Sequence, residues 1–171
     1  KDLKRIESTR SSDGFREVSG AGDDEISCLV RKKYDYLRAR TTGIKPIPGF
    51  LELFFILKKN RFALGLFSSS ERVFVEHILN ELGIIKDFKA IVSGDEVKDS
   101  KPSPEGYLKA ARMLKAKPSE CIVIEDSLHG ISAARAAKMK VIAGTNTYDR
   151  NFLLDADLIV DSLAEVSLSD I

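Results

Sequence analysis

Cysteine is scarce in this chain: Cys28 and Cys121 are the two in 171 residues. They stand far apart, with no histidine at metal-ligand spacing. That excludes a disulfide framework and a zinc site, and a reducing cytoplasm is the expected compartment. Charge of one sign is also missing. A formal net charge of +1 gives no global field for nucleic acid or an anionic membrane, so any anion must be held by a local site. Long apolar runs are absent as well. Phe50 to Leu57 is the longest, and Glu52 interrupts it well short of a membrane span. Lys1-Asp2-Leu3-Lys4-Arg5 is too polar to open a signal peptide. What is present is ordinary for a globular domain: 43% hydrophobic and 31% charged residues, in a chain long enough for one core and a small appendage.

The first stretch differs from the rest. It is polar and breaks at Ser19-Gly20-Ala21-Gly22, after which Asp23 or Asp24 can cap a helix over 24–41 with Ile26, Leu29, Val30 and Leu37 on one face. Gly43 stops this helix, and Pro46 and Pro48 make a stiff connection. Residues 1–44 are therefore expected to form a small helical unit and 45–171 a separate core. Beyond Pro48 the pattern alternates between helix and strand. A helix holds Leu51, Phe54, Phe55 and Leu57, and a strand spans Phe62 to Phe67. A helix with Val75, Ile78, Leu79 and Leu82 ends at Gly83, and Ala90-Ile91-Val92 is a strand. A helix starts at Ser103-Pro104-Glu105 with Tyr107, Ala110, Ala111 and Leu114 as its apolar stripe. Strand Cys121 to Ile124, a small-residue helix around Ala133 and Ala134, and strands Val141 to Ala143 and Leu158 to Val160 complete the series. Such alternation implies right-handed βαβ units and a Rossmann-like parallel α/β sheet. Strand runs that are apolar throughout agree with helices on both faces.

Ligands of such sheets bind beyond the carboxyl ends of the strands. There the sequence places Ser68-Ser69-Ser70, then Ser93-Gly94-Asp95 leading to Lys101-Pro102, then Glu125-Asp126-Ser127. Hydroxyls and a lysine suit phosphate oxygens, and adjacent carboxylates suit a hard divalent cation. Taken singly, each has a plainer reading: serines form turns, lysines are solvated, and acids cap helices. Their coincidence at one edge carries the weight, because two charges abutting an apolar strand are costly without a cation.

Ser68, Lys101-Pro102 and Ile124-Glu125-Asp126-Ser127-Leu128-His129-Gly130 resemble the second, third and fourth motifs of the haloacid dehalogenase superfamily. The runs Ser100 to Glu105 and Glu125 to Gly130 resemble its β-phosphoglucomutase-like branch, and Lys45 to Gly49 resembles that branch's return from cap to core. The resemblance implies a Mg²⁺-dependent phosphatase or phosphomutase acting through an aspartyl phosphate on a small phosphorylated metabolite, most simply a sugar phosphate. It implies that residues 1–44 are a partial helical cap. It gives Ser68 and Lys101 catalytic roles, Ser69 and Arg10 a share in phosphate or substrate binding, and Glu125 and Asp126 the metal. The partner is then a small molecule rather than nucleic acid or membrane, with a monomer or weak dimer expected.

One motif is lacking. The family's first motif is Asp-x-Asp at the end of the first core strand, its first aspartate attacking phosphorus and its second protonating the leaving group. Asp23-Asp24 and Asp155-x-Asp157 have suitable residues in the wrong context and read as helix caps or turns. The nucleophile is expected upstream of Lys1, and the 171-residue chain alone is expected to be inactive. The alternative is a non-catalytic phosphate-binding or regulatory member. A receiver domain, with its lysine after the acids, fits the order here poorly.

Overall fold

The computed structural model describes residues 43–171, together with Cys28, Arg31, Lys32 and Asp35, which are helical and exposed. The rest of the expected helix over 24–41, Arg10, and Asp23-Asp24 lie outside the described residues. The chain divides into two units, Lys1–Gly43 and Ile44–Ile171. The following concerns the second.

Its elements alternate: α1 (Phe50–Lys59), β1 (Leu64–Phe67), α2 (Arg72–Glu81), β2 (Phe88–Val92), α3 (Glu105–Leu114), β3 (Ile122–Glu125), α4 (Leu128–Ala136), β4 (Lys140–Gly144) and β5 (Leu158–Val160). All pairings are parallel, β1 with β2, β3 with β4, and β4 with β5. The α/β reading of the sequence is thus realised, with strands a residue or two off the expected bounds. The strands fall into two sheets, β1-β2 and β3-β4-β5.

Helices cover both faces. On one face, Phe54 of α1 packs with Val75 and Leu79 of α2 against Leu64, Leu66, Phe88 and Ile91, while Leu53 packs against Ile142 and Val160. Burying two such side chains contributes about 3–6 kcal/mol. On the other face, Tyr107, Ala110 and Ala111 of α3 and Ile131, Ala133 and Ala134 of α4 share one core with Phe67, Val92, Val123 and Val141. Each helical layer therefore spans both sheets. The expected helix with Leu51, Phe54, Phe55 and Leu57 is present as α1; in it Leu53 and Phe54 are buried, and Leu51 and Phe55 are exposed. The reason is that α1 straddles two clusters, and neighbouring positions 53 and 54 face one each.

Gly49 fixes where α1 begins. Its φ is +80°, and a Cβ there would lie 2.1 Å from the amide nitrogen of Ala164. Only glycine lets this turn pass the last turn of the domain. Of the Asp155-x-Asp157 pair, Asp155 lies in a turn, and Asp157 accepts from the Val141 amide at 2.7 Å and from Arg135 at 2.9 Å. Cys121, expected to open a core strand, instead precedes β3 half-buried, its thiol donating to the Lys117 carbonyl at 3.3 Å.

The turn after β2 is held by carboxylates. Glu96 accepts from the Ser93 amide at 2.9 Å and hydroxyl at 2.7 Å, and pairs with Arg72. Burial alone would raise the Glu96 pKa. The two Ser93 bonds and the charges of Arg72 and Lys109 outweigh it and hold the pKa below the ordinary 4.5. Asp95 is held low in a similar way. A depressed folded-state pKa gives stability that is present above the unfolded value and lost as pH falls through the folded one. Urea unfolding should therefore show the gap between the parent and Glu96→Gln narrowing as pH falls below about 4.5. A gap that stays constant into acid would contradict this assignment.

Candidate active site

Three loops leave the carboxyl ends of β1, β2 and β3 and meet. The first is Ser68-Ser69-Ser70. Ser68 continues the pairing of β1 through its amide to the Val92 carbonyl at 3.0 Å, and its hydroxyl accepts from the Ser70 amide at 3.1 Å. Gly94 packs against this loop so closely that a Cβ would fall 2.2 Å from the Ser69 carbonyl oxygen, which explains the glycine in Ser93-Gly94-Asp95. The second loop is shaped from behind by Glu105, whose carboxylate accepts from the amides of Lys98 and Asp99, each at 2.9 Å. Its Ser100 hydroxyl reaches Ser69 Oγ at 3.1 Å, joining first loop to second. Lys101 follows, before a cis Pro102.

Lys101 joins second loop to third. Its Nζ pairs with Glu125 Oε1, with side-chain exposures of 14% and 7%. Glu125 is saturated: Oε1 also accepts from Tyr107 Oη at 2.7 Å, and Oε2 accepts from the amides of Asp126 and Ser127 and the Ser127 hydroxyl. Burial alone would raise the Glu125 pKa. The Lys101 charge, with bonds from Lys101, Tyr107 and Ser127, outweighs it and holds the carboxyl ionised. Burial and then the Glu125 charge push the Tyr107 phenol far up, so it stays protonated and donating. Gly130 makes this packing possible, since a Cβ there would lie 2.1 Å from the Glu125 carboxyl carbon. Ser127 caps α4 by accepting from the Gly130 amide at 3.0 Å. The Glu, Ser and Gly of Glu-Asp-Ser-x-x-Gly thus each have a local physical reason.

Asp126 points differently from Glu125. Its Oδ2 accepts from Thr147 Oγ1 at 2.6 Å in an exposed setting. Asp126 and Glu125 also line a cavity of about 200 Å³ with Ile47, Ile124, Gly144, Asn146 and Leu163. Carboxylate oxygens beside such an opening suit a hard dication that keeps several waters. Among the described residues no group of three or more His, Cys, Asp or Glu could hold a metal ion, so those residues supply one or two carboxylates at most. Of the two, Asp126 has the outward carboxylate.

The structure brings Ser69, Lys101 and Glu125-Asp126 into one connected set, with Ser68 beside it, while Arg10 lies outside the described residues. Tyr107 and Thr147 were not singled out from sequence. Tyr107 reads as one more apolar position of α3, and Thr147 follows β4 with no motif to mark it. His77 is half-buried on α2 and His129 is exposed.

The comparisons agree with this geometry. The family model of haloacid dehalogenase-like hydrolases matches residues 1–144. Validoxylamine A 7'-phosphate phosphatase of Streptomyces hygroscopicus subsp. limoneus is 36% identical over 160 residues, covering 88% of this chain and 75% of the relative. Beta-phosphoglucomutase of Bacillus subtilis is 34% identical over 157 residues, covering 91% and 67%. The crystal structure of CbbY from Rhodobacter sphaeroides in complex with phosphate superposes with a TM-score of 0.78 at 26% identity, covering 93% of this chain and 76% of that one. The chain spans only part of its curated relatives, down to 15% of one from Arabidopsis thaliana. With its fold, its three linked loops and these matches, the chain belongs to the haloacid dehalogenase-like hydrolases, on their β-phosphoglucomutase-like branch.

Proposed function

We propose that the whole protein is a Mg²⁺-dependent phosphatase or phosphomutase of a small phosphorylated metabolite, with a sugar phosphate as the favoured class. The observation that supports this most is the linked set of Ser69, Ser100, Lys101 and Glu125 at one pole. In this reading Ser68, assisted by Ser69, donates hydrogen bonds to the phosphoryl oxygens, and Lys101 neutralises charge on them. Asp126 holds Mg²⁺, which when bound supplies Lewis-acid stabilisation of phosphoryl charge, while Glu125, its two oxygens already taken by other donors, holds Lys101 rather than serving as the expected second metal ligand. Arg10 is assigned to the substrate side.

The nucleophile is assigned to a strand other than those described. Among the described residues β1 pairs only with β2, and β3 pairs on one side only, with β4. Lys101 lies between their ends, over the Phe67 ring of β1 and paired to Glu125 of β3. Gly65 and Ile124, inside strands covered by helices, are nevertheless exposed. These features favour one further strand between β1 and β3, carrying an aspartate to the same pole. Its carboxylate would attack phosphorus as the bond to the alcohol breaks, and a second acid would protonate the departing alkoxide. Water would then displace the carboxylate and release phosphate. The 171-residue chain alone is assigned no turnover.

A phosphate-release screen of the full-length protein on a sugar-phosphate panel, with Mg²⁺ and with chelator, tests this. Metal-dependent release from at least one member is expected. Full activity in chelator, or turnover by the 171-residue chain, would refute the respective part. A non-catalytic phosphate binder is the second reading, favoured only if the upstream strand lacks its aspartates.

A further inference from the structure

We propose that Tyr107 is a positioning residue for the site lysine, acting through its ring on Lys101 and through its phenol on Glu125. This deepens the functional reading and rests on it for its kinetic consequence only.

The Lys101 ammonium lies 5.3 Å from the Tyr107 ring centroid and 5.2 Å from that of Phe67. The rings meet edge to face, with centroids 5.2 Å apart at 85°. They form a corner with two electron-rich surfaces turned to one cation. Gly106 lets the corner form, because a Cβ there would lie 2.2 Å from the Phe67 ring. Lysine carries four rotatable bonds, and an unsupported one would sample many rotamers. Here two rings close its flanks and Glu125 takes one N–H, which restricts the rotamers open to the ammonium.

The phenol has a separate task. Glu125 Oε1 receives both Lys101 and Tyr107 Oη. If Lys101 turns its donors to phosphoryl oxygens, the buried carboxylate keeps a standing donor on that oxygen. Without the phenol, Glu125 Oε1 depends on the lysine alone, and the lysine is held back from the substrate.

The test uses full-length protein. In NMR, the Lys101 ε-methylene protons should lie upfield of the other lysines because of the two ring faces. The displacement should persist in Tyr107→Phe and shrink in Tyr107→Leu. In kinetics, Tyr107→Phe should lower kcat roughly tenfold, as removal of a group orienting a site residue does, with KM changed less than about twofold. In a Lys101→Arg background the same substitution should change kcat little. Random-coil shifts for Lys101, or an equal kcat loss in both backgrounds, would overturn the proposal. If the parent shows no turnover on any substrate, the functional reading fails, and the NMR arm alone decides the placement of Lys101.

Discussion

Lys101→Met should destabilise the full-length protein by about 3–5 kcal/mol, because it leaves a buried carboxylate without its cation. The Glu125 side chain is only 7% exposed. Burial already works against its charge, and Lys101 is the largest opposing influence. With methionine at 101, desolvation dominates and the Glu125 pKa rises above its unfolded value. The variant then loses stability as pH rises through that shifted pKa, so its deficit should be greatest at neutral pH and narrow in acid. Adding Glu125→Gln should recover much of the loss, since the double variant buries no charge. Urea unfolding of the four proteins at pH 7 and pH 4.5 measures this. Additive losses, or a deficit independent of pH, would show that the pair is not the source. Activity should vanish with Lys101→Met, so stability and turnover fall together.

For Asp126→Ala the two should separate. Asp126 holds only Thr147 in an exposed setting, and surface substitutions of that kind usually stay within about 0.5 kcal/mol. Its proposed work is on the metal. Several kcal/mol of Lewis-acid stabilisation corresponds to roughly a hundredfold or more in kcat/KM. Asp126→Asn keeps one oxygen ligand and should show a raised Mg²⁺ requirement, with part of the activity returning at high metal. Equal activity in parent and Asp126→Ala would remove this residue from the metal site. Equal losses of stability and activity would make its role architectural.

The contrast between neighbouring acids was not legible in the sequence. Glu125 and Asp126 read as an equivalent pair. They part at the end of β3: Glu125 is its last residue and Asp126 the first of the loop beyond it. Glu125 turns inward to Lys101 and Tyr107, and Asp126 turns outward to Thr147. The parallel strands and the loops at their ends were legible, because apolar runs and small polar loops are local signals. Tyr107 was not, because its ring satisfies the α3 stripe while its hydroxyl serves a residue 18 positions away. Only packing brings those two together. The Arg72–Glu96 anchor was likewise hidden by its 24-residue separation.

A crystal structure of the full-length protein grown with Mg²⁺ and inorganic phosphate bears most directly on the central claim. The phosphate should sit against the Ser68 hydroxyl and the Lys101 amine, with the metal on Asp126, all at the carboxyl ends of β1 and β3. Phosphate and metal bound elsewhere, with that pole left to solvent, would contradict it.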